Sequence, residues 1–311
     1  MRRRGSRLVN PQTATPVMDF VSVWDTRLIS SGSSMSNQVR LPLHSQGDYD
    51  FTVNWGDGNA NIIKLYDAAE ILHTYSASGV YTVTITGKIT GILFGGNTDC
   101  KKILEVISWG SLKLGNQGLY FQLCSNLTLT NVSDILTTSD TTNFQAMFDA
   151  NTSLGTINRV NEWDMSQATS LSSMFRNCDI FNQDLNEWDV GNVTNFVSMF
   201  QNTDLFNGNI ESWNMSSALY LIAMFSSAKK FNKNISNWNI SSAIDMSNFL
   251  RSATMFSVYN YDALLIGWAS RPVMPDVSVK FATKYSSAAS SAREILTSSP
   301  NNWVIIDLGL V

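Results

Sequence analysis

The 311-residue sequence holds two histidines, His44 and His73, and three cysteines, Cys100, Cys124 and Cys178. The commonest general base is therefore almost missing. A Ser-His-Asp site would want a GxSxG elbow, which does not occur, and neither histidine has a partner motif. The cysteines have neither the pairing number of a disulfide framework nor the CxxC spacing of a zinc site, and read as small buried hydrophobes. Charge is scarce too: Asp, Glu, Lys and Arg make up 15% of the chain, against roughly 25% in ordinary soluble domains. The net charge of -4 with a pI near 5.2 gives no field that gathers polyanions, so nucleic acid is not an expected partner. No run approaches the roughly 18 consecutive apolar residues of a membrane-spanning helix. No P-loop, GxGxxG, EF-hand or nonapeptide calcium pattern is present, so no catalytic residue, cofactor or metal is expected.

One short stretch breaks the pattern of low charge. Arg2, Arg3, Arg4 and Arg7 open the chain, and residues 1–16 read as a basic arm that docks on an acidic partner surface. The segment after the arginines is polar and lacks the apolar core of a secretory signal, so no export signal is expected.

What the sequence does have is repetition. Trp163, Trp188, Trp213 and Trp238 are spaced by 25 residues, and Phe181, Phe206 and Phe231 keep the same register, as do Met174, Met199 and Met224. These columns read as the structural core of a repeat. Within one unit, Leu185 to Val190 reads as an extended piece, and Val193, Phe196, Met199 and Phe200 fall on one face of a short helix. The unit predicted is a short strand plus a short helix, with copies stacked about 4.8 Å apart along a parallel sheet. Asn182, Asn207 and Asn232 add a second column, whose amides can bond the backbone of successive turns. Asp164, Asp189 and Asp184 are replaced in later units by Asn214, Asn239, Asn209 and Asn234. An acid-base pair does not survive that replacement, so these are turn or surface positions.

The segment MFRNCDIFNQDLNEWDVGNVTNFVSMF and its neighbours, residues about 145 to 260, resemble the BspA-type leucine-rich repeats of bacterial surface proteins. YDALLIGWAS, YSSAASSAREILTSSPNNW and IIDLGL resemble the tail that often follows such repeats. Near the start, Phe51, Val53 and Trp55 alternate with polar residues into Gly56-Asp57-Gly58, and Tyr81, Val83 and Ile85 alternate after Gly79. VNWGDGN followed by HTYSASGVYTVTITG resembles the PKD-type immunoglobulin-like domain. Together the resemblances imply a β-sandwich followed by an α/β leucine-rich-repeat solenoid with short parallel strands and a C-terminal cap. The boundaries expected are the arm at 1–16, the sandwich at 17–90, the repeats at 91–260 with the period clearest over 163–256, and the cap at 261–311.

The function expected is non-enzymatic. Extracellular-type modules, a basic arm and no export signal suggest a structural or binding component on the exterior of a phage or virus particle, namely a fibre, decoration or receptor-binding protein. Its partners would be other virion or surface proteins through the arm, a host surface protein or glycan, and further copies of itself. The alternative is a bacterial cell-surface or extracellular adhesin that binds host proteins or glycans. Because the recurring residues form the core, the candidate contacts are exposed positions between them: Tyr220, Lys229, Lys230 and Lys233.

Overall fold

The computed structural model describes residues 18–95 and 98–311, so Arg2, Arg3, Arg4 and Arg7 lie outside the described residues. Eight strands come first: β1 (Phe20–Asp25), β2 (Gln38–Arg40), β3 (Asp48–Asn54), β4 (Ala60–Ile63), β5 (Leu72–Thr74), β6 (Val80–Thr90), β7 (Ile103–Ser108) and β8 (Leu112–Lys113). In β3 the alternation is strict, with Tyr49, Phe51 and Val53 buried and their neighbours exposed. The main sheet runs β4-β3-β6-β1-β7, with β8 beside β6, while β2 and β5 form a separate two-stranded ribbon. The core contains Trp24, Phe51, Val53, Trp55, Ile63 and Ile85 from the sheet and Val39 from the ribbon. Gly56 has φ of 83° in the β3–β4 turn, and a Cβ there would stand 2.4 Å from the Thr82 carbonyl oxygen.

This corrects the expected two-sheet sandwich. The chain builds one large sheet and a ribbon, and the sheet does not stop at residue 90. β7 pairs antiparallel with β1, and β8 pairs parallel with β6.

From about residue 114 to residue 245 the chain winds in tiers, and here the expected α/β leucine-rich-repeat solenoid is overturned. Among these residues there is neither an α-helix nor a regular strand. One short 3-10 turn (Val160–Glu162) and a series of isolated parallel bridges are the regular features. The bridges connect Asn143, Ser170, Asn195, Tyr220 and Asp245 in order, and so mark the successive tiers.

The hydrogen bonds explain why the expected helix does not form. The N–H groups of Leu171, Ser173, Phe175 and Asn177 donate to the carbonyls of Asn195, Val197, Met199 and Gln201 in the next tier, at 2.8 to 3.0 Å. The intervening Met174, Arg176 and Cys178 close tight turns on Leu171, Ser173 and Phe175 within their own tier. Both sets of donors are thus satisfied without an i to i-4 bond. This alternation needs two left-handed residues per tier. They are Ser173 and Asn177, then Ser198 and Asn202, then Ala223 and Ser227, with φ between 52° and 62°. A left-handed residue inside Val193 to Phe200 is incompatible with a right-handed helix. The four apolar side chains are nevertheless all buried.

The interior is built of ring columns. Trp163, Trp188, Trp213 and Trp238 stack with centroids 6.2 to 6.4 Å apart and planes within 12° of parallel. Phe175, Phe200 and Phe225 form a second column at 5.6 to 5.8 Å, and Phe181, Phe206 and Phe231 a third at 6.0 to 6.2 Å. Each such ring contributes about 1.5 to 3 kcal/mol by burial. The indole N–H groups are also used: Trp188, Trp213 and Trp238 donate to the carbonyls of Val160, Leu185 and Ile210 one tier back.

The last tier hands its ladder to a three-stranded sheet. β9 (Met246–Leu250) pairs in parallel with β10 (Ser278–Phe281), which pairs in parallel with β11 (Val304–Ile306). α1 (Val258–Ala269) and α2 (Ser290–Thr297) flank it, and α1 is capped by the Ser257 hydroxyl, which accepts from the Asn260 N–H. Substitution at Ser198 tests this backbone. Ser198→Gly is expected to be neutral or stabilising and Ser198→Val to cost at least about 1 kcal/mol in urea unfolding, because only the left-handed conformation favours glycine. In a right-handed helix the order would reverse, with glycine the worse residue.

Candidate binding groove on the tiers

Two columns of the tiers face each other across a shallow groove lined by Asn182, Leu205, Asn207, Lys230, Asn232 and Met255. Backbone N–H groups that bond between tiers set both walls. On one wall the N–H groups of Leu205, Lys230 and Met255 donate at 3.1 Å to the carbonyls of Asp179, Asp204 and Lys229, which holds the three side chains in line. Leu205 and Met255 are 43% and 51% exposed, a large fraction for aliphatic side chains. On the other wall the Asn207 N–H donates to Asn182 Oδ1 at 2.8 Å, the Asn232 N–H to Asn207 Oδ1 at 2.9 Å, and the Ser257 N–H to Asn232 Oδ1 at 2.9 Å. Since each of these partners is a donor, the carboxamide oxygen faces the backbone and the amide nitrogen is left over. Among the described residues the Nδ2 groups of Asn182, Asn207 and Asn232 donate to no protein acceptor.

The groove collects part of the residue set expected from the sequence. Lys230 lines it. Lys229 stands beside it but is held by Asp204, with Nζ 2.6 Å from Oδ2. That pair is exposed and screened, worth at most about 1 kcal/mol. Lys233 is half-buried and does not line the groove. Tyr220 is exposed but lies elsewhere, in the column of bridges between Asn195 and Asp245. Trp163, Trp188, Trp213, Trp238, Phe181, Phe206, Phe231, Met174, Met199 and Met224 are all in the core. The asparagine wall was legible in the Phe-Asn repeat. The aliphatic wall was not, because Leu205, Lys230 and Met255 share a column without sharing a chemistry.

The groups that could carry chemistry are engaged elsewhere. His73, which has no partner motif in the sequence, packs face to face on Trp55 at 4.7 Å and lies 2.8 Å from Asp57 through Nε2. Asp57 also accepts from the Asn59 backbone and amide. The WGDG and HTY segments thus meet in one cluster at the end of the sheet. Burial holds the His44 imidazole below its usual value, and its Nδ1 accepts from the Gln46 N–H. Cys124 and Cys178 are buried and their thiols are pushed up by desolvation, away from the thiolate form that reacts. Among the described residues no group of three or more His, Cys, Asp or Glu side chains could hold a metal ion, and no helix is long and apolar enough to cross a membrane.

A more demanding electrostatic site lies between the sheet and the ribbon. Lys102 and Asp99 are fully buried, 3.4 Å apart. The ammonium donates to the carbonyls of Ser34, Met35 and Gln38 and to the Ser34 hydroxyl, while the carboxylate accepts from the Ser34 and Arg40 N–H groups and the Ser34 hydroxyl. Burial still holds the Lys102 ammonium below its usual value, with Asp99 offsetting part of that cost, and the shared partners clasp residues 34–40 to the sheet.

Compared with known proteins, residues 142–263 match a family model described as "Mycoplasma protein of unknown function, DUF285". The match covers the tiers from residue 142 onward, β9 and the start of α1, which is less than half of the chain. No curated protein and no solved structure matches.

The Asp57 cluster makes a pH prediction. Burial raises the Asp57 carboxyl, but the bonds from His73 and Asn59 together outweigh it and the net shift is downward. A carboxylate whose folded value is lowered contributes stability that is present above its unfolded value and is lost as pH falls through the folded value. Thermal unfolding followed by circular dichroism from about pH 6 to about pH 2 should therefore show a steeper fall for the natural protein than for Asp57→Asn. Equal slopes would contradict the assignment.

Proposed function

We propose that this protein is a non-enzymatic structural and binding component displayed on the exterior of a phage or virus particle. The observation that carries the reading is the repeated surface of the tiers. One backbone pattern presents the same two side-chain columns again and again over a core filled with stacked rings, an arrangement suited to holding an extended contact surface rigid. His73 is spent on Asp57 and Trp55, and the cysteines are buried in the core. The basic arm of Arg2, Arg3, Arg4 and Arg7 would anchor the protein to an acidic neighbour in the particle, leaving the groove free for a host surface partner.

One observation favours a second reading, a bacterial adhesin at the cell surface. The family model that matches the tiers is described by proteins of a cellular organism, the mycoplasmas. The two readings separate by location. A specific antibody against the tiers, used on purified particles in negative-stain microscopy and on intact cells of the producing organism, is expected to decorate the particles. Label on cells alone would replace the first reading by the second, and label on neither would remove both.

A further inference from the structure

We propose that the groove across the tiers takes a linear acidic glycan, lying along the stack so that successive sugars meet successive tiers. The inference rests on the binding role proposed above and names the ligand class for that groove. Three features of the groove select this occupant.

The first is that the site repeats. Asn182, Asn207 and Asn232 present one unused amide donor per tier, each oriented by the bond its Oδ1 accepts from the next tier. A row of equivalent donors is matched by a polymer that offers an equivalent acceptor in each repeat, as the hydroxyl and ring oxygens of a linear glycan do. The opposite wall, Leu205, the stem of Lys230 and Met255, supplies an apolar strip for the C–H faces of the sugars.

The second feature excludes an added β-strand. A peptide that docks by strand addition needs free backbone donors and acceptors. The N–H groups of Leu205, Lys230 and Met255 on one wall, and of Asn207, Asn232 and Ser257 on the other, are all consumed by bonds between tiers. The donors that remain in the groove are on side chains.

The third feature is charge. Lys229 is neutralised by Asp204, whereas Lys230 makes no ion pair among the described residues and stands in the groove itself. One uncompensated cation amid neutral amides takes a carboxylate of the chain that the groove holds.

Calorimetric titration of the full chain tests the proposal. The probes are hexasaccharides of alginate, polygalacturonate, hyaluronan and polysialic acid, with cellohexaose as the neutral comparator and glucuronate as the single-sugar comparator. At least one acidic hexasaccharide is expected to bind about tenfold more tightly than cellohexaose, and glucuronate not measurably. Lys230→Ala should bring that acidic ligand down to the cellohexaose level, and Leu205→Asp should weaken both. Lys284→Ala, outside the groove, should change neither. Unfolding temperatures equal to that of the natural protein would show that these variants are folded. Binding of none of the four acidic hexasaccharides, or binding unaffected by Lys230→Ala, would overturn the proposal. Particles that carry the antibody label while no glycan binds would remove the glycan and leave the display role standing. Glycan binding by a protein absent from particles would do the opposite.

Discussion

The structure depends on a single constraint, that every buried backbone donor must find an acceptor although the tiers contain neither α-helix nor regular strand. The chain meets it by dividing its N–H groups into two sets. One set closes turns inside a tier, and the other crosses to the next tier, as from Leu171, Ser173, Phe175 and Asn177 to Asn195, Val197, Met199 and Gln201. Left-handed residues aim the second set. Each is disfavoured by about 1 to 2 kcal/mol, and is held in place by the crossing bonds and by the ring columns beneath.

From that constraint the surface follows. Because tiers are joined by backbone bonds in fixed register, any position repeated in sequence becomes a straight column in space. Inside, the columns are tryptophan and phenylalanine rings in near-parallel stacks. Outside, they are the asparagine and aliphatic walls of the groove. Both walls are tied by backbone N–H groups that bond between tiers, to carbonyls on one wall and to asparagine Oδ1 atoms on the other, so a ligand would meet a preformed surface and spend little on ordering it. At the far end, β10 and β11 take over the ladder from β9 and keep the last tier from presenting an open edge.

Much of this was legible in the sequence, and the parts that were not have definite causes. The 25-residue period identified the columns, and Val193, Phe196, Met199 and Phe200 are indeed all interior. Their spacing suggested a helix because it reports which side chains point inward and is silent about how the backbone turns between them. The left-handed positions went unseen because Ser198, Asn202 and Ala223 occupy them, and glycine, the usual marker, does not. The reach of the main sheet beyond residue 90 was hidden because Ile103 to Ser108 reads equally as a degenerate repeat. The pairing of His73 with Asp57 bridges 16 residues and joins β5 to the β3–β4 turn, a contact that no local spacing announces.

Hydrogen exchange measured residue by residue by NMR tests the crossing bonds most directly. The amides of Ser173, Phe175 and Asn177, and of their counterparts Ser198, Phe200 and Asn202, should be strongly protected and should open together with the tryptophan columns. Exchange of those amides at the rate of an unstructured chain, with the neighbouring turn amides still protected, would mean that the tiers are not joined through their backbones and would contradict the account.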